Sequence, residues 1–212
     1  MFERFDPPYD DPADPNELLN AEAGAPHGGQ IAQELAERKA ASVPAKALQR
    51  GALPGSVPGT LPGAAAVVLT ADTVGITPDG GLVGTPQTAE QARAMLGRLM
   101  GATHTIATGV ALRAGSAESC SWGELRSFHD LARVTLGRVD PKTLEQYLDS
   151  GQWAGKAGGY NLAERMAAGW PITVEGDPGT VMGLPMRRLA PLLVEAGVHP
   201  QASPGPCESA VG

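Results

Sequence analysis

One apolar run stands out along the chain, from Ala64 to Leu69, and it leads through Thr70 and Ala71 to Asp72 and Thr73. A run of this length, between a Pro/Gly-rich segment and Gly75, predicts a strand that is covered on both faces and stops at the carboxylate. Ligands of α/β proteins gather where such strands end. The run alone leaves two functions open for Asp72: an acid that holds a cation or orients water, or a residue that opens a turn.

Apolar residues at helical spacing predict four amphipathic helices. They cover residues 30–45, 88–101, 140–151 and the region around 189–196. Thr88 begins a capping-box pattern, and Asp140 followed by Pro141 forms an N-cap and first-turn pair. Pro191 lies inside the last pattern and is expected to kink that helix or to delay its start.

Alternating β-branched and apolar residues predict further strands at 103–112, 128–139 and 171–174, of which the first two are expected to pair as a hairpin. The segment 44–63 is punctuated by proline and glycine and predicts a flexible insertion. Residues 199–212 show no periodicity and predict a disordered tail. We therefore expect one domain over residues 1–198, a size that suits a single core.

Composition narrows the class of protein. The formal net charge of −7 argues against binding to a nucleic acid polymer, which needs clustered lysine and arginine. Cys120 and Cys207 show neither zinc-ligand nor disulfide spacing, which fits a reducing cytoplasm. No segment is long and apolar enough for a signal peptide or a membrane span. His104 has no second His or Cys at ligand spacing, so it is expected to form hydrogen bonds rather than bind a metal.

Five short motifs follow one another in a recognisable order. They are Ala71-Asp72-Thr73-Val74, the helix Ala92 to Gly101, His104 with Thr108-Gly109-Val110, Lys156 to Tyr160, and Val181-Met182-Gly183-Leu184-Pro185. In this order and at these separations the chain resembles the Maf family of nucleoside triphosphate pyrophosphatases. The resemblance implies an α/β fold of the Maf and inosine triphosphatase type, with a mixed twisted sheet flanked by helices and a cleft between two lobes. It also implies a homodimer.

The same resemblance implies hydrolysis of a nucleoside triphosphate, which can be noncanonical, to the monophosphate and pyrophosphate. It assigns Asp72 as the proton acceptor and as a ligand of a divalent cation, Mg²⁺ or Mn²⁺, together with a neighbouring acid that is Asp11 or Asp10, of which Asp11 is taken as the ligand. Lys39 and Lys156 are assigned to the phosphates and Thr73 to a contact that influences base choice. Taken alone, Lys39 is better explained as part of a solvated helix face, and Lys156 as part of a glycine-rich turn.

Three departures from the family pattern bear on these assignments. Nothing before Phe5 resembles the family's first strand and its serine-rich turn with paired arginines, which grips the phosphates. Thr85 replaces a phosphate-binding lysine in the Gly-Lys-Pro loop. Residues 162–164 read Leu-Ala-Glu where members that prefer thymidine and uridine triphosphates have Ile-Gln-Gly. Base preference therefore stays open, and the alternative function is a catalytically impaired nucleotide-binding protein of the same fold.

Overall fold

The computed structural model describes residues 25–44, 66–116, 119 and 121–199. The helices of this part are α1 (Ala25–Ser42), α2 (Ala89–Leu99), α3 (Pro141–Asp149), α4 (Leu162–Ala167), α5 (Pro178–Val181) and α6 (Met186–Glu195). The strands are β1 (Ala66–Ile76), β2 (Leu82–Val83), β3 (Ala102–Ser116), β4 (Ser121–Trp122), β5 (Arg126–Leu136) and β6 (Ile172–Glu175). A short 3₁₀ turn covers Ala157–Gly159.

The strands form one sheet in the order β2-β1-β3-β5-β6, and β4 pairs with the end of β3. Each pairing among the described strands is antiparallel, so the parallel part of the expected mixed sheet does not occur among them. Helices pack on both faces of the sheet, and the predicted α/β class with a sheet flanked by helices is confirmed. The predicted hairpin of the second and third long strands is confirmed as the pair β3 and β5.

Among the described helices, only α1 packs on this first face of the sheet. Its apolar side packs against Val68 and Val74 of β1 and Ala107 and Ala111 of β3. Gly109 lies beneath it, and a Cβ built on this residue would collide with the backbone of Ala32. The small residues of β3 therefore let α1 approach the sheet backbone closely.

The opposite face carries the larger core. Leu96 and Leu99 of α2 and Tyr147 of α3 pack here with Val134 and Leu136 of β5. Farther along the same face, α6 contributes Leu189, which packs against Val110 and Phe128. Because side chains alternate along a strand, neighbouring residues of β1 and β3 serve the two different cores.

Several predicted element boundaries are confirmed. Thr88 caps α2 by accepting a hydrogen bond from the Gln91 amide, and Asp140 caps α3 in the same way from Thr143. Pro191 lies inside α6 without delaying its start at Met186. Of the predicted insertion 44–63 and tail 199–212, only Pro44 and His199 belong to the described residues.

The prediction that the first strand stops at Asp72 and is covered on both faces is wrong. Strand β1 continues to Ile76, and its ladder with β3 runs unbroken to the pair Ile76 and Thr105. The reason is that β3 pairs with Thr73 to Ile76 residue by residue, which extends the strand past the carboxylate. Leu69 is 36% exposed, so coverage of β1 is partial. Asp72 is consequently a residue of the strand interior.

No helix of the described residues is long and apolar enough to cross a membrane.

Candidate active site

Asp72 and Lys39 form an ion pair between β1 and the last turn of α1. Asp72 lies on the sheet face that α1 covers, and Lys39 Nζ is 2.6 Å from Asp72 Oδ2. The two side chains are 22% and 16% exposed, for Lys39 and Asp72 respectively. Thr70 helps to fix the helix here, since its hydroxyl donates to the Ala36 carbonyl at 2.6 Å. The fold thus brings a partly exposed carboxylate and an ammonium together at the margin of a core.

The other oxygen of Asp72 is held by the backbone. The Thr73 amide donates to Asp72 Oδ1 at 2.8 Å, so this amide serves the carboxylate rather than the ladder with β3. Thr73 and its partner Thr108 therefore form a non-hydrogen-bonded pair, in which opposing side chains come close together. The carboxylate is oriented by two donors on two different elements.

Thr73 points to the opposite face of the sheet from Asp72. Its hydroxyl lies 2.8 Å from that of Thr108, which donates in turn to the Thr180 carbonyl at 2.7 Å. Since Thr108 has one hydroxyl proton, Thr73 must be the donor between the two threonines. The Thr180 hydroxyl donates to Asp130 at 2.6 Å, which extends this polar cluster to β5. Any contact between Thr73 and a substrate is therefore made on the face away from α1.

Lys156 also lies on the face away from α1. It precedes the 3₁₀ turn, whose Gly159 faces Ala92 and Leu96 of α2. Lys156 Nζ is 2.5 Å from Glu164 Oε2, and the side chains are 25% and 47% exposed. Glu164 stands at the position where, by the family resemblance, members that prefer thymidine and uridine triphosphates have glycine, so this chain supplies its own anion to the lysine.

The glycine-tyrosine segment that follows Lys156 is held by three hydrogen bonds. The Gly158 amide donates to Gly84, and the Tyr147 hydroxyl donates to Gly159, at 2.9 and 2.8 Å. The Tyr160 hydroxyl lies 2.8 Å from His104 Nε2. His104 is 2% exposed, and burial lowers the pKa of its imidazole to about 4. The ring is therefore neutral at physiological pH and acts as a hydrogen-bonding partner, in agreement with the expectation from sequence.

The described residues do not by themselves fit a divalent cation. Such ions need several oxygen ligands, and Asp72 offers one carboxylate whose two oxygens already have partners. No group of three or more His, Cys, Asp or Glu side chains in ranges 25–44, 66–116 and 121–199 is arranged to hold a metal. Asp11, the second expected ligand, lies outside the described residues. These residues therefore support no reaction step through a metal ion.

The structure thus brings together Asp72 and Lys39 and places Thr73 and Lys156 on the other side of the sheet. Sequence reasoning missed Glu164 as a partner of Lys156. One signal was present: Asn161 accepts from the Glu164 amide and caps α4, and an Asn with a Glu three residues later is a helix-start pattern. The turn of helix that follows brings Glu164 back to the lysine.

Comparison with known proteins agrees with the motifs. The model of the Maf-like protein family matches residues 6–196. Among curated relatives, the dTTP/UTP pyrophosphatase of Shouchella clausii is 38% identical over 135 residues, which are 64% of this chain and 66% of that protein. The dTTP/UTP pyrophosphatase of Salinibacter ruber is 38% identical over 126 residues, 59% of this chain and 58% of the relative.

A third relative of the same name, from Methylococcus capsulatus, is 38% identical over 133 residues, which cover 63% of this chain and 61% of the relative. The chain thus matches somewhat less than two thirds of the length of these relatives. The family model in contrast extends over most of the chain, from residue 6 to residue 196. The protein therefore belongs to the Maf-like protein family.

Proposed function

We propose that this protein is a nucleoside triphosphate pyrophosphatase, which hydrolyses its substrate to the nucleoside monophosphate and pyrophosphate. The observation that carries the proposal is the ion pair between Lys39 and Asp72, the acid of the family motif Ala71-Asp72-Thr73-Val74. The relatives named dTTP/UTP pyrophosphatase support the reaction class.

In the proposed reaction, Asp72 accepts a proton from a water molecule as that water attacks the α-phosphorus. A new bond forms between the water oxygen and phosphorus, the bond from phosphorus to the αβ-bridging oxygen breaks, and pyrophosphate leaves with the bridging electrons. The amide of Thr73 keeps one carboxylate oxygen in place. A base held by a second group is already oriented when the water arrives, which lowers the entropy cost of the step.

Lys39 has two tasks in this proposal. In the structure its ammonium neutralises Asp72 at 2.6 Å. An incoming triphosphate is more highly charged than the carboxylate and would draw the ammonium towards its oxygens, which leaves Asp72 able to accept a proton. Charge neutralisation of this kind supplies much of the catalysis of phosphoryl transfer.

We also propose that the reaction uses Mg²⁺ or Mn²⁺, and this part of the proposal depends on Asp11 as a second ligand. When bound, the cation would neutralise phosphate charge. Thr73 and Lys156 are proposed to contact the base and the phosphates from the face away from α1. The first substrates to try are dTTP and UTP, which appear in the names of the relatives.

The negative net charge of −7 supports free nucleotides rather than a nucleic acid polymer as ligands. We further propose that the protein acts in the cytoplasm, away from membranes, and that it forms a homodimer. Three exposed apolar side chains near one another in sequence, Met182, Leu184 and Met186, offer apolar area for self-association. Light scattering coupled to size exclusion measures the mass in solution.

The test is pyrophosphate release from a panel of canonical and noncanonical nucleoside triphosphates, with Mg²⁺, with Mn²⁺ and with EDTA. We expect release by the wild type and a fall in kcat of at least about 100-fold for Asp72→Asn, because the general base is lost. The matched control is Asp149→Asn, which changes an exposed aspartate at the end of α3. Equal rates for the wild type and Asp72→Asn would contradict the role of Asp72.

The same panel separates an alternative function. The Lys156–Glu164 ion pair and the threonine at position 85 both reduce the positive charge available to a triphosphate, which favours a protein that binds nucleotides with little turnover. That protein would show nucleotide-dependent thermal stabilisation and no pyrophosphate release.

A further inference from the structure

The C-terminal end of α1 is held by two side chains from the sheet. Arg113 of β3 donates through Nη2 to the Ala40 carbonyl at 2.5 Å and to the Val43 carbonyl at 3.0 Å. Trp122 of β4 donates through Nε1 to the same Val43 carbonyl at 3.1 Å. The Arg113 guanidinium lies over the Trp122 ring, 5.0 Å from its centroid. These three hydrogen bonds tie two elements to a single turn of chain.

Helix ends explain why these donors are useful. The last carbonyls of a helix have no partners within it and carry partial negative charge, so a guanidinium is favourable there in both respects. Arginine can reach two carbonyls at once, whereas lysine offers a single point charge. Burial lowers the pKa of Arg113, and its Nε has no hydrogen-bond partner among the described residues. A partly buried guanidinium with one buried, unsatisfied donor destabilises the fold, so its presence suggests a further role.

The turn held by Arg113 is the turn that carries Lys39. Ala40 directly follows Lys39, is 0% exposed and packs on Val68 and Ala111 of the sheet. Any movement of this turn along or away from the sheet would move Lys39 relative to Asp72. We propose that Arg113 and Trp122 are positioning residues that hold Lys39 beside Asp72 and thereby set the affinity for the phosphates of the substrate. This inference rests on the proposed function, since it takes Lys39 as a phosphate-binding group.

The test is a double-mutant cycle of Arg113→Lys with Lys39→Ala. Two quantities are measured for each protein: KM and kcat on a hydrolysed triphosphate, and the Kd of inorganic pyrophosphate by calorimetry. We expect Arg113→Lys to raise both KM and Kd on the order of tenfold, because small displacements of a binding group have large effects. In the Lys39→Ala background, Arg113→Lys should change neither constant. Trp122→Phe, which keeps an aromatic ring at this position and removes the indole N–H donor, should raise KM and Kd by a smaller factor.

A merely structural role would give a different pattern. Val134→Ala is the control, because Val134 is 0% exposed and lies in the core on the face away from α1. This variant should lose stability and keep KM and Kd. Equal weakening by Arg113→Lys in both backgrounds, or weakening in neither, would overturn the proposal.

Failure of the proposed function can be recognised separately. If no triphosphate is hydrolysed but pyrophosphate binding shows the expected non-additive pattern, the proposed enzymatic activity is overturned and the positioning role is retained. Turnover with additive effects would overturn the positioning role alone. A wild type that neither turns over a triphosphate nor binds pyrophosphate would overturn both.

Discussion

Glu164 competes with any phosphate for the ammonium of Lys156. The pair is held at 2.5 Å, yet both side chains retain access to solvent. An ion pair of this exposure contributes at most about 1 kcal/mol, so a triphosphate can displace it at a modest cost. Glu164 therefore acts as a weak competitor of the substrate phosphates for Lys156, the lysine that the family resemblance assigns to phosphate binding.

We predict that Glu164→Gln lowers KM for the triphosphate by up to about fivefold, because about 1 kcal/mol of competing interaction is removed. Steady-state kinetics measure the change. The difference from the wild type should shrink at high salt, since salt screens the ion pair. Glu145→Gln is the matched control: it breaks the exposed pair with Arg93 between α3 and α2 and should leave KM unchanged. A KM for Glu164→Gln equal to that of the wild type would contradict the prediction.

At the scale of single residues, the sequence predicted which side chains belong to the candidate site better than it predicted where they lie in the fold. Asp72 and Lys39 were both assigned to the reaction by the family resemblance, and the structure puts them in contact. The motif around Asp72 does not say which face each residue occupies, because that depends on the register of β1 with β3. Thr73 and Lys156, which the resemblance assigns to the same substrate, lie across the sheet from Asp72.

At the scale of elements, the position of α1 depends on the absence of a side chain in β3. A methyl group at position 109 would collide with the backbone at Ala32 and Gln33, which cannot move as a flexible side chain can. The helix must then rise from the sheet or the strand must bend. Either change would disturb the packing of Ala36 and Ala40 as well as the placement of Lys39.

We predict that Gly109→Ala lowers the free energy of unfolding by about 1–3 kcal/mol, as overpacking of a core does. Urea unfolding followed by circular dichroism measures it. Gly97→Ala in α2 is the control, since its new Cβ would meet nothing within 4 Å. Alanine suits a helix interior better than glycine, so this variant should gain about 0.5–1 kcal/mol. An unchanged free energy of unfolding for Gly109→Ala would contradict the prediction and would mean that α1 has room to adjust.

The helices with strong capping signals were predictable, because caps are local chemistry: Thr88 and Asp140 make the bonds expected of them. Helix α4 was missed, since six residues between glycine-rich segments offer too little periodicity to detect. The length of β1 was underestimated for another reason. Its last four residues are a strand because β3 pairs with them, and a partner distant in sequence leaves no local signal.

At the scale of the whole molecule, one buried histidine links stability to pH. The imidazole of His104 has a pKa near 6.5 in the unfolded chain, and burial lowers it to about 4 in the folded protein. Well above pH 6.5 the ring is neutral in both states and contributes no pH dependence. Below that value the unfolded chain takes up a proton that the native state refuses, so stability falls as the pH falls.

We predict that the free energy of unfolding decreases as the pH falls below 6.5. The decrease reaches about 3 kcal/mol near pH 4, where the native ring begins to titrate. Denaturant unfolding at a series of pH values measures it. His104→Gln should flatten the curve between pH 6.5 and 5, a range above the titration of most carboxylates. His199→Gln, at an exposed position, should keep the wild-type slope. Equal slopes for all three proteins would show that His104 is not the source.

The placement of Asp72 and Thr73 on opposite faces has a consequence for how this strand can change in length. Adding or removing one residue between the start of β1 and Asp72 would exchange the faces of the two side chains, placing the hydroxyl on the face that α1 covers and the acid on the face of the threonine cluster. Adding two would restore their directions. Length variation within this strand should therefore be tolerated only in steps of two.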